Sequence, residues 1–208
     1  MEFRVQKKDA LATQLASLDL SADAATKVTA RLTFLGRTGF PAGVNTGRGF
    51  RGGYSLDQFW QIVLLFHLQR VGIGLTPAIE LIRTSWPLAS SAIWLSFSRS
   101  TKLGLRYYWI IKPAPLQGLD EFEARKEEES QGSIITFGLH DNDPLQTALS
   151  AQDAAHVCLI DATSVVDKAL KGFRQIGDAN LVRDLEDAHR QQQSAATAAL
   201  RHALRDRS

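Results

Sequence analysis

The residues with the most chemical content are arginines set among glycines. Between Gly36 and Tyr54, seven glycines fall within 19 residues, and Arg37, Arg48 and Arg51 stand among them. Glycine lets a backbone come close to a phosphate group, and a guanidinium grips the same group through paired N–H donors. The predicted chemistry is therefore anion recognition without reaction. No Gly-x-Ser-x-Gly, Gly-x-x-x-x-Gly-Lys or His-Glu-x-x-His pattern occurs in the chain, so no catalytic residue and no cofactor is expected. His140-Asp-Asn-Asp143 groups nitrogen and oxygen ligands just before Pro144. Asp and Asn before a proline are ordinary turn residues, and no metal is expected there. His67 and His156 are expected to be hydrogen-bonded structural residues. Cys158, the single cysteine, is expected to be a buried spectator thiol with no disulfide.

Charge supports a polyanionic partner. The net charge of +2 divides unevenly along the chain. Residues 1–113 hold 14 Lys and Arg against 6 Asp and Glu, whereas the rest hold 10 against 16. A basic field attracts phosphate and an acidic one repels it, so the first half is the binding module. The longest apolar-rich run, Phe59 to Leu68, contains Gln61 and His67 and is far shorter than the roughly 20 residues that span a bilayer. No secretory signal is recognisable in Met1 to Lys8, and a cytoplasmic protein without a membrane span is expected.

The elements that must position these arginines follow from periodicity and punctuation. Leu11, Leu15 and Leu18 predict a first helix over residues 8–18. Ser21 is placed to cap a second, from Ala22 to Leu35, whose buried stripe is Val28, Leu32 and Leu35. Lys27 and Arg31, four residues apart, share another face. Two short helices joined tightly make a helix-turn-helix candidate. Strand pieces around Val44 and Phe50, joined by Asn45-Thr-Gly47, predict a small hairpin or wing. Ser55-Leu-Asp-Gln58 has the spacing of a capping box and opens an apolar core helix. Thr76-Pro77 is expected to start the next helix, Pro87 to break it, and Leu88 to Ser100 to form another.

From Leu103 the pattern changes. Leu105 to Ile111, Ser133 to Leu139 and His156 to Ile160 predict strands, and Asp161 starts an amphipathic helix with Gly172 near its end. Residues 120–131 are a charged surface segment. The tail from Asp178 carries a broken helical stripe of Leu181, Leu185, Ala188, Leu200 and Leu204 without a sustained heptad. The expected fold class is α+β: a mostly helical winged helix-turn-helix domain at 1–102, a small mixed α/β assembly or sensing domain at 103–177, and a helical or partly disordered tail at 178–208.

The order of parts resembles the MerR-type winged-helix family over residues 9–86. The stretches that carry the likeness are Thr38-Gly-Phe-Pro41, Gly49-Phe-Arg-Gly-Gly-Tyr-Ser55, Gly72-Ile-Gly-Leu75 and Ala78-Ile-Glu-Leu-Ile82. Thr33-Phe-Leu35 stands where that family has Arg-Tyr-Tyr. The resemblance implies a homodimer that binds double-stranded DNA, with the second helix in the major groove and the wing on the backbone or in the minor groove. It carries over Thr26, Lys27 and Arg31 on the helix and Arg48, Arg51 and Tyr54 at the wing, to which charge adds Arg37. The family's long dimerisation helix is not expected, because Pro87 interrupts. The expected function is a bacterial-type, sequence-specific transcriptional regulator. The alternative is an adaptor whose winged domain binds a protein. Self-association is expected from 103–177, since a strand apolar on both faces needs more cover than three strands and one helix supply.

Overall fold

The computed structural model describes residues 4–44, 53–97, 105–112, 132–140, 158–176, 183–188 and 190. Helices α1 (Lys7–Ser17), α2 (Ala25–Arg37), α3 (Leu56–Arg70) and α4 (Leu75–Phe97) precede strands β1 (Leu105–Lys112), β2 (Ser133–His140) and β3 (Cys158–Asp161) and helix α5 (Ala162–Gln175). The fold is α+β and mostly helical. Its antiparallel sheet has the order β2-β1-β3, with Trp109 of the central strand opposite Thr136 on one side and Ile160 on the other.

Helix α3 begins where its capping box requires. The Ser55 hydroxyl accepts from the Gln58 N–H at 3.3 Å, and the Gln58 amide oxygen accepts from the Ser55 N–H at 2.9 Å. Two backbone donors that the first turn leaves orphaned are thereby satisfied. The helix is apolar nearly all round, and Phe59, Trp60, Ile62, Val63, Leu64 and Leu65 are all buried. The start of α5 is equally local: the Asp161 carboxylate accepts from the Ser164 N–H at 2.9 Å.

Three expectations need correction. Ser21 makes no side-chain cap; a 3-10 turn at Ala22–Ala24 intervenes, and α2 starts only at Ala25. Of the leucine stripe only Leu18 is buried; the buried face of α1 is Asp9, Ala10, Thr13, Gln14 and Ser17, with Leu11 and Leu15 half-buried. Helix α5 crosses close to α1 at Thr13 and Ala16, and Gly172, in the last turn of α5, lies at that crossing. Thr13 Oγ1 donates to the Asp9 carbonyl at 2.8 Å and Ser17 Oγ to the Gln14 carbonyl at 3.2 Å, whereas the buried side-chain amide of Gln14 has no hydrogen-bond partner among the described residues.

Pro87, lastly, does not break α4, which runs 23 residues through it. Proline removes one intrahelical bond, a penalty of roughly 3 kcal/mol in an exposed helix. Tertiary contacts on both sides of the proline outweigh it. Ser85 Oγ accepts from the Ile134 N–H at 3.0 Å, Trp109 Nε1 donates to the Ala89 carbonyl at 2.8 Å, and Thr136 Oγ1 donates to the Leu88 carbonyl. Ala89, Ala92 and Ile93 are fully buried beyond the proline. The sheet thus clamps the second half of α4.

A single hydrophobic cluster runs from Val5 to Leu185 and includes Trp60, Trp109 and Phe173. The Phe59 and Phe173 rings lie 5.2 Å apart, and Trp60 meets Phe97 edge-on at 5.9 Å. Residues on both sides of position 102 therefore share one core, and Trp109 and Ile111 of β1 find their cover within the same chain.

Candidate nucleic-acid interface

Helix α2 divides cleanly into two faces. Val28, Leu32 and Leu35 are its buried residues. With 3.6 residues per turn, Thr26, Ala30, Phe34 and Arg37 fall on the opposite side and Lys27 and Arg31 along one flank. All six are exposed. The helix contains no Asp or Glu, and Arg37 sits in its last turn, where a cation also complements the helix dipole. Lys7 at the start of α1 donates to Thr33 Oγ1 at 3.0 Å, adding a cation to the edge of this surface, and Lys8 beside it is exposed. The acidic residues that flank α2 in sequence are Asp23, in the 3-10 turn, and Asp57.

Of the predicted contact residues, the structure brings Thr26, Lys27, Arg31 and Arg37 onto this one exposed surface. Tyr54 is placed differently. It is 8% exposed, and burial pushes its hydroxyl pKa up. Val5 and Tyr54 exchange both backbone hydrogen bonds at 2.8 Å, which ties the amino-terminal segment to the end of the glycine-rich loop. Gly53 is required there, because a Cβ would lie 2.1 Å from the Val5 carbonyl oxygen. The tyrosine anchors the base of the loop and does not present its ring to solvent. Arg48 and Arg51, with the predicted hairpin turn, lie outside the described residues.

Two features escaped the sequence reading. Phe34 is 47% exposed in the midst of Lys27, Arg31 and Arg37. Its position six residues after Val28 and two after Leu32 excludes it from the buried stripe, a signal that helical periodicity carries. His67 is buried as expected of a structural residue, but its Nε2 has no hydrogen-bond partner among the described residues. Burial, reinforced by Arg70 and Lys168, lowers its pKa to about 4.

No group of three His, Cys, Asp or Glu side chains positioned to share a metal occurs among the described residues. Nor is any described helix long and apolar enough to cross a membrane. No family model, curated protein or solved structure matches this chain.

Proposed function

We propose that this protein is a double-stranded-DNA-binding transcriptional regulator that acts as a homodimer. The observation that carries the reading is the exposed face of α2, which presents Lys27, Arg31 and Arg37 with Thr26 and contains no acidic residue. Support comes from its setting. Helix α2 follows α1 after residues 18–24, an order of parts in keeping with a helix-turn-helix pair, and precedes a glycine-rich stretch bearing Arg48 and Arg51. The resemblance to MerR-type proteins assigns the same helix to the major groove and the loop to the backbone or the minor groove.

Counterion release is the decisive test. Each phosphate neutralised adds roughly −0.9 to the slope of log affinity against log salt. Duplex binding by the full chain should fall steeply from low to moderate salt, and affinity independent of salt would refute the proposal. Arg48→Ala and Arg51→Ala should weaken all sequences alike, whereas Thr26→Ala and Lys27→Ala should change which sequences are preferred. Selection from a random duplex library would return a palindrome if the protein reads DNA as a dimer.

A second reading is favoured by Phe34. A large apolar ring exposed within a basic face suits an acidic protein surface, with the aromatic as anchor and the cations around it. In that case the protein is an adaptor. It would be retained by an acidic partner and leave no footprint on DNA; a footprint would exclude it.

A further inference from the structure

Between the end of α3, the turn after α1 and the start of α5 lies an open cavity of about 260 Å³. Its polar lining includes Asp19, His67, Arg70, Asp161 and Lys168, with the hydroxyl residues Ser17 and Ser164. His67 is only 9% exposed, and its Nε2 has no partner among the described residues. A buried polar nitrogen without a partner is costly, and folded proteins complete such groups with a water or a ligand.

The charges around the imidazole indicate which ligand. Arg70 Nη1 donates to the Leu18 carbonyl, which occupies one of the five guanidinium donors. Lys168 Nζ donates to the Asp19 carboxylate, whose pKa is lowered mainly by that bond, with Arg70 and Lys171 adding to the effect. Asp161 is already engaged, by the Ser164 N–H and by Arg106. The groups acting on His67 are thus Arg70 from its own helix, Lys168 from α5 and Asp19 from the turn. After burial, the two cations are the stronger influences and Asp19 the weakest. The field at Nε2 is positive.

We propose that this cavity is a binding site for a small oxyanion, a carboxylate or a phosphate, held by Arg70 and Lys168 beside the imidazole of His67. The volume is below the roughly 300–1,000 Å³ of sites for drug-sized ligands, which suits a small anion. Bound anion offsets the field of the two cations and raises the affinity of His67 for a proton, so binding in mildly acidic solution takes up protons. The anion also competes with Asp19 for Lys168. Asp19 holds a left-handed backbone conformation (φ 52°) in the turn that leads toward α2, so occupancy adjusts the helix that bears the basic face. This last consequence rests on the DNA-binding reading; the site itself does not.

The test is calorimetric titration of the full-length protein, without DNA, with sodium phosphate and separately with sodium acetate at constant ionic strength. Saturable binding of at least one anion is expected, and whichever binds identifies the class. Lys168→Gln and His67→Gln should each weaken it by about tenfold or more, the share of one charge-assisted contact. The His67 Nε2 resonance should shift on saturation. The proposal is overturned if neither anion binds saturably in the millimolar range, or if Lys168→Gln and His67→Gln, shown to be folded by circular dichroism, bind as the parent does. Duplex affinity measured with and without saturating anion then tests the coupling alone: an unchanged value overturns the link to α2 and leaves the site standing.

Discussion

Gly172 of α5 faces Ala16 of α1 so closely that a methyl group at position 172 would lie 2.8 Å from the Ala16 Cβ and 3.1 Å from the Thr13 Cα. The two helices can cross at this distance because residue 172 has no side chain. Gly172→Val should therefore destabilise the fold by about 3 kcal/mol through overpacking. Gly172→Ala sets a similar clash against a helix-propensity gain of about 1 kcal/mol. Adding Ala16→Gly should recover stability in the Gly172→Ala background and reduce it in the parent. Urea denaturation midpoints of the four chains measure the coupling; additive effects would show that the helices are not in contact there.

Ser85 joins α4 to the sheet at one buried point, where its hydroxyl accepts from the Ile134 N–H. Ser85→Ala leaves that donor without a partner, and a loss of about 1–3 kcal/mol follows. Ser91, whose hydroxyl is exposed and bonds only within α4, is the control. Its alanine variant should stay within about 0.5 kcal/mol of the parent.

His67 makes stability depend on pH in a defined direction. Its pKa is about 4 in the folded chain, against 6.5 for the unhindered side chain. Between these values the unfolded chain takes up a proton that the folded chain does not, so stability is full above pH 6.5 and is lost as pH falls toward 4. The total is on the order of 3 kcal/mol. Thermal melts of the full chain at pH 7, 6, 5 and 4 should show this decline. His67→Gln should flatten the part that carboxylates do not account for, and a parallel profile in the variant would contradict the assignment.

Tyr54 and Arg31 should separate stability from binding. Tyr54→Ala removes a buried ring beside the Val5 pairing and should cost about 3–5 kcal/mol of stability, by analogy with other large-to-small core changes. Arg31→Ala, on the exposed face of α2, should leave the melting temperature nearly unchanged. It should reduce the salt dependence of duplex binding by about one unit of slope. The opposite pattern would mean that α2 is not the face presented to DNA.

The sequence alone determined the features whose cause lies within a few residues. Ser55 and Gln58 specify the start of α3 by satisfying each other's backbone, and Asp161 starts α5 in the same way. Aromatic and β-branched residues in Leu105 to Ile111 and Ser133 to Leu139 mark two strands, and the four-residue and three-residue spacing of Val28, Leu32 and Leu35 leaves Thr26, Lys27, Arg31 and Arg37 exposed. These are short-range signals of capping, strand propensity and helical period.

Only the tertiary structure decided which surface covers which. Pro87 reads as a helix break, yet the sheet docks on both sides of it through Ser85, Leu88 and Ala89 and keeps α4 whole. The leucines of α1 read as its buried stripe, yet a glycine in α5, some 150 residues distant in sequence, lets Thr13 and Ala16 take that place because close backbone approach favours the smallest side chains. Tyr54 reads as a phosphate contact, yet pairing with Val5 draws it inward. The positive field at His67 likewise arises from Arg70 and Lys168, which the chain brings together only on folding. Burial and electrostatic environment are properties of surfaces meeting in space, and local pattern does not encode the partner.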